Sequence, residues 1–93
     1  RQLGLPVIVS VQNAYNLLNR VFDWAWAEAC YQEQVGMLAY SPLAFGCLSG
    51  KYLERHTEPQ GRLELFSGFG QRYLKPNVPE AVAAYHAIAQ QHH

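Results

Sequence analysis

Cysteine is scarce in this sequence. Only Cys30 and Cys47 occur, too few for a disulfide framework, and they read as buried thiols of a reducing, cytoplasmic compartment. An excess of charge is missing too, since seven Lys and Arg balance seven Asp and Glu. That balance argues against a general nucleic-acid or membrane-surface binder. No apolar run approaches the roughly 20 residues of a membrane span. No signal-peptide pattern is visible. Metal-ligand spacing is lacking among His56, His86, His92 and His93, whether with one another or with a cysteine. No nucleophile, base and orienter set can be picked out.

What is present is apolar and aromatic. Hydrophobic residues make up 49% and aromatics 13% of 93 positions, more than so short a chain readily covers by itself. The mismatch implies that neighbouring structure is missing or is supplied by another copy, so self-association into a dimer or larger assembly is expected. The start at Arg1 rather than Met suggests a processed, truncated or incompletely recorded chain.

The order of elements is strand, helix, strand, long loop, helix. The β-branched run LPVIVSV (Leu5–Val11) predicts a buried strand over about 6–12, closed by the polar pair Gln12 and Asn13. Residues 14–20 read as a loop or a short helical turn. Residues 22–34 predict a helix with Phe22, Trp26, Ala29 and Cys30 on one face, Asp23 near its start and Gly36 to stop it. A second short strand follows over 37–40. Strand, helix, strand with short connections implies parallel pairing. Residues 41–78 form a Pro- and Gly-punctuated loop, of a length usually kept for function. A final helix spans 79–91, with Pro79 at its first position and Val82, Tyr85, Ile88 and Ala89 as its apolar face.

Several residues carry candidate chemistry. Gln12 closes the first strand, and parallel sheets bind ligands at that end. Its amide could pair with a planar amide-bearing ligand, although a solvated strand end is the blander reading. Tyr40 closes the second strand with a flat ring suited to stacking on a heteroaromatic, or to ordinary core packing. The string GCLSGK (Gly46–Lys51) has three residues between its glycines where a nucleotide P-loop needs four, and Tyr52 replaces the magnesium-binding hydroxyl. A Walker-type site is excluded, yet a Gly-rich backbone beside a lysine can still hold a phosphate. Gly68-Phe69-Gly70 follows no strand and is not a dinucleotide fingerprint.

Two longer strings, VQNAYNLLNR (Val11–Arg20) and AYSPLAFGCLSGKY (Ala39–Tyr52), resemble the aldo-keto reductase family. The likeness continues through Gly61-Arg62 and Leu65-Phe66 to the last helix. Its nearest flavour is the branch of bacterial general reductases and potassium-channel β subunits. The resemblance implies an α/β fold, a partial TIM (β/α)8 barrel of about two β/α units. It places the chain as a C-terminal-half piece of one such barrel, at the sixth and seventh strands and helices. It further implies NADP(H) as cofactor and hydride transfer to aldehydes or ketones in the intact enzyme. By the same resemblance Gln12 matches the residue that holds the nicotinamide carboxamide, and Tyr40 the one that stacks on the nicotinamide. Ser41, Pro42, Leu43, Ala44 and Phe45 match the loop around pyrophosphate and ribose. Lys51 matches a phosphate contact, and Arg62 a basic residue of the clasping loop. The family's catalytic Asp, Tyr, Lys and His lie on earlier strands, and its grip on the adenosine 2′-phosphate on the eighth. The chain alone is therefore expected to be catalytically inactive and to hold the cofactor poorly. A self-associating structural module derived from a reductase is the alternative.

Overall fold

The computed structural model describes residues 3–54, 57–59 and 61–93. The chain divides into two compact units, Arg1–Pro42 and Leu43–His93.

The first unit is built on two parallel strands, β1 (Ser10–Ala14) and β2 (Gly36–Tyr40), paired from Ser10↔Gly36 to Ala14↔Tyr40. The pairing is parallel, as the strand-helix-strand order implies. β1 begins later than the β-branched run suggests, and it runs through Gln12 and Asn13 instead of stopping there. The reason is pairing. Gly36 is the first residue of β2, and its N–H reaches the carbonyl of Val9 at 3.0 Å. Upstream of Val9 the run has no neighbouring strand, so Leu5, Val7 and Ile8 stay exposed.

Between the strands, the single helix expected over 22–34 is two short ones, α1 (Val21–Ala25) and α2 (Ala27–Gln32). They part at Trp26, whose φ and ψ are −127° and −22°. Neither Pro nor Gly stands there, so no residue marks the break. Phe22 and Cys30 are buried as their spacing predicts, whereas Trp26 and Ala29 are exposed. A sheet two strands wide is too narrow to cover the whole face.

The stop at the end of α2 comes from Gln34 and not from Gly36. Gln34 takes the left-handed conformation at φ 56°. The N–H of Val35 then reaches Cys30 O at 2.8 Å, and that of Gln34 reaches Tyr31 O at 3.3 Å. These two bonds form a Schellman closure, which satisfies carbonyls that the helix end leaves open.

In the second unit the long loop carries three short helical segments among its described residues. A 3₁₀ segment covers Ala44–Ser49, α3 covers Arg62–Leu65, and a 3₁₀ turn covers Gln71–Tyr73. α4 runs from Val78 to His92, one residue longer at each end than its periodicity predicts. Pro79 is consequently its second residue, still among the first-turn positions whose N–H needs no helical partner. Val78 and Val82 are buried and Tyr85 is half-buried, but Ile88 and Ala89 face outward. The core of this unit is Ala44, Cys47, Leu63, Tyr73, Val78 and Val82. Phe45 joins it, stacked on Phe69 at 4.7 Å and edge-on to Tyr73 at 5.4 Å.

Candidate cofactor site

In the first unit the register decides what shares a face. Gln12 pairs with Leu38, and Ala14 with Tyr40. Alternation then puts Gln12 and Tyr40 on the same side of the sheet, offset by two residues, or about 7 Å along the strands. Both are exposed. A planar amide in the middle of β1 and a phenol ring at the C-terminal end of β2 thus lie diagonally across one open face of the parallel pair. The C-terminal edge is where such sheets bind ligands.

The chain leaves β2 under tight control. Ser41 has φ 55°, a left-handed conformation that is costly for a residue with a side chain. Two hydrogen bonds fix its surroundings. The N–H of Tyr15 donates to the carbonyl of Tyr40 at 3.2 Å, and Asn16 Nδ2 donates to the carbonyl of Ser41 at 2.8 Å. Asn16 is itself buried. Its Oδ1 accepts the N–H groups of Leu18 and Asn19, each at 2.9 Å, closing an Asx turn. Beside it, Tyr15 donates its hydroxyl to Asp23 at 2.9 Å, while the Arg20 guanidinium pairs with Asp23 at 2.5 Å and lies over the Tyr15 ring. The hydrogen bond and charge of Asp23 hold Arg20 above its ordinary pKa.

The second unit holds the Gly-rich string. Ala44, Phe45 and Gly46 are left-handed in succession, at φ 51°, 57° and 95°. Ala44 is fully buried and Phe45 is in the aromatic cluster, so these two offer a ligand backbone groups and not side chains. Leu43 is exposed. Lys51 folds back into space that two glycines leave open. Its Nζ lies 3.0 Å from where a Cβ on Gly46 would stand and 2.6 Å from the same point on Gly61. The φ of Gly61 is 175°, ordinary extended backbone, so close approach and not conformation requires glycine there. The Tyr52 hydroxyl crowds the same point on Gly61, is buried, and has no hydrogen-bond partner among the described residues. Arg62, next in sequence, opens α3 and is exposed. An ammonium, an unpaired phenol and a glycine cradle form a set suited to a phosphate oxygen. Burial pushes the Cys47 thiol up from its ordinary pKa, with the Lys51 charge pulling the other way.

The candidate residues therefore fall into two groups. Gln12, Tyr40, Ser41 and Pro42 belong to the first unit, and Leu43, Ala44, Phe45, Lys51 and Arg62 to the second. In the sequence Asn16 carries no assigned role, and Tyr52 is marked only as the residue that replaces a magnesium-binding hydroxyl. An Asn that starts a loop after a strand is an Asx-turn signal, and it could have been found. Nothing in the string announces the burial of the Tyr52 hydroxyl. Among the described residues no cluster of His, Cys, Asp and Glu could hold a metal, and His56 lies outside them.

Known proteins match nearly all of this chain. The profile of the aldo/keto reductase family matches residues 2–93. The chain belongs to the aldo/keto reductase family. Protein tas of Escherichia coli (strain K12) is 49% identical over 88 residues, which is 95% of this chain and 25% of that protein. An aldo-keto reductase of Babesia bovis is 40% identical over 94 residues, covering 96% of this chain and 33% of that protein. The chain thus spans a quarter to a third of the length of these relatives. Among the described residues no helix is long and apolar enough to cross a membrane.

Proposed function

We propose that this chain supplies the nicotinamide and pyrophosphate side of an NADP(H) pocket in an aldo-keto reductase. In this reading its two strands are the sixth and seventh of a (β/α)8 barrel, and it acts in the cytoplasm. The observation that carries the reading is the run of left-handed positions Ser41, Ala44, Phe45 and Gly46 just after β2. Strain of this kind persists where the surroundings enforce it, and it clusters at ligand sites. Gln12 would hold the carboxamide of the nicotinamide, and Tyr40 would stack on its ring. The backbone of residues 41–46 and the Lys51 ammonium would take the pyrophosphate, with Arg62 clasping beside it. The unpaired Tyr52 hydroxyl and the cradle at Gly61 fit such a group. When bound, NADPH supplies the hydride that the intact enzyme passes to an aldehyde or ketone. The residues named here would bind and orient, and the family's catalytic Asp, Tyr, Lys and His have no counterpart among them, so the chain alone should be inactive. An NADPH-oxidation assay over a broad aldehyde panel tests this. Rates should match a protein-free blank, and clear turnover would refute the division of labour.

A second reading rests on the first unit's uncovered surface. Trp24 is 91% exposed and Tyr31 79%, and an apolar groove of about 430 Å³ runs past Ile8, Trp26 and Cys30. Among the described residues the two-stranded sheet also leaves an outer edge on each strand without a partner strand. Surface and edges of this kind drive association, so the chain would act as a self-associating module. Light scattering across a wide concentration range would show a dimer or larger species, and a constant monomer mass would exclude it.

A further inference from the structure

We propose that Asn16 is a positioning residue of the cofactor site, holding Ser41 in its left-handed conformation and Tyr40 at the end of β2. The inference rests on the assignment of Tyr40 and Ser41 to the nicotinamide and pyrophosphate.

Asn16 is 7% exposed, far more buried than a loop asparagine needs to be. One side chain performs two tasks with opposite polarity. Its oxygen accepts from Leu18 and Asn19 and closes its own turn. Its nitrogen donates 25 residues along the chain, to the carbonyl of Ser41. The main chain of the same turn adds Tyr15 N–H to Tyr40 O. Two successive carbonyls at the exit of β2 are thus held by two successive residues at the exit of β1. Ser41 gains no help from its own preferences, because φ 55° disfavours it. The external donor is what makes that conformation persist. A carbonyl fixed by Asn16 also fixes the peptide plane that follows Ser41, and with it the direction in which the chain enters Pro42. Asn16 itself touches no ligand in this account; it acts through Ser41 and Tyr40.

The two tasks can be separated chemically. Asn16→Asp retains the oxygen acceptor for Leu18 and Asn19 but has no N–H to give Ser41. Asn16→Ala loses both. The full chain and the two variants are compared by two-dimensional amide NMR, first alone and then in an NADPH titration into the millimolar range at high salt, which screens the added charge.

In Asn16→Asp the slow amide exchange of Leu18 and Asn19 should survive while the Ser41 shifts move toward ordinary φ values. NADPH affinity should fall about three- to tenfold, the worth of one buried hydrogen bond. Asn16→Ala should lose the turn protection as well. If Asn16→Asp keeps both the Ser41 shifts and the parent affinity, Asn16 only braces its own turn and the inference is wrong. If the parent chain shows no saturable response to NADPH while Ser41 still moves in the variant, the cofactor assignment itself has failed, and the inference falls with it.

Discussion

The Lys51 ammonium occupies the space that glycine leaves at position 61, with Nζ 2.6 Å from where a Cβ would stand. Because Gly61 has extended backbone, Gly61→Ala adds no conformational strain. It acts only by expelling Lys51 and the Tyr52 hydroxyl. The expected cost is about 1–3 kcal/mol, as for overpacking a filled site, measured by urea denaturation. The exposed Lys51 end can swing aside but the buried Tyr52 hydroxyl cannot, so Tyr52→Phe combined with Gly61→Ala should recover most of it, and a fully additive double variant would disprove the coupling.

Gly50 and His86 make a second such pair. Gly50 ends the 3₁₀ segment at φ 83°, and a Cβ there would lie 2.7 Å from His86 Nδ1. Gly50→Ala therefore meets both backbone strain and a clash with α4. A loss of about 2–4 kcal/mol is expected. His86→Ala in the same chain should relieve the clash but leave the strain, so thermal melts should show partial rescue.

The end of α2 offers a stabilising change. Gln34 is left-handed without being glycine, and its side chain gains only an exposed bond to Tyr31 O at 3.0 Å. Gln34→Gly removes strain at the position where helices most often use glycine. Set against the greater freedom of glycine in the unfolded chain, the gain should be about 0.5–1 kcal/mol. For a domain of this size that raises the melting temperature by about 2–8 °C. A lower melting temperature would contradict the Schellman assignment.

Cys47 gives a pH dependence with a definite sign. Burial raises its pKa in the folded state, so the unfolded chain loses the thiol proton first as pH rises. The stability linked to this group is complete below the unfolded pKa and is lost as pH climbs through the folded one. Cys47→Ala should flatten the decline above pH of about 8.5, where a free thiol titrates. Alkylation of Cys47 in the parent should lag behind a free thiol at the same pH. Equal rates would show that the sulfur is open to solvent.

Much of this was legible in the residues. The order of elements and the parallel pair follow from the two apolar runs and the spacing between them. The ends of the elements were less so. β1 starts where a partner strand is available, which its own sequence does not encode. The break at Trp26 carries no Pro or Gly, and Gln34 does the work that Gly36 advertises. At the site, Gln12, Tyr40 and Lys51 stand out as residue types at strand ends and in a Gly-rich loop. Ala44 and Phe45 look like side-chain contacts in the string, and only their burial shows that backbone is what they can offer. Asn16 was missed because its weight comes from a carbonyl 25 residues away.

The most direct test is an amide NMR titration of the full chain with NADPH. The account predicts weak, saturable shifts gathered at Gln12, Tyr40, Ser41, Lys51 and Arg62, reproduced by NADP⁺ and weakened at the other four positions by Lys51→Ala. Shifts that gather on α4, or none at millimolar NADPH, would contradict it.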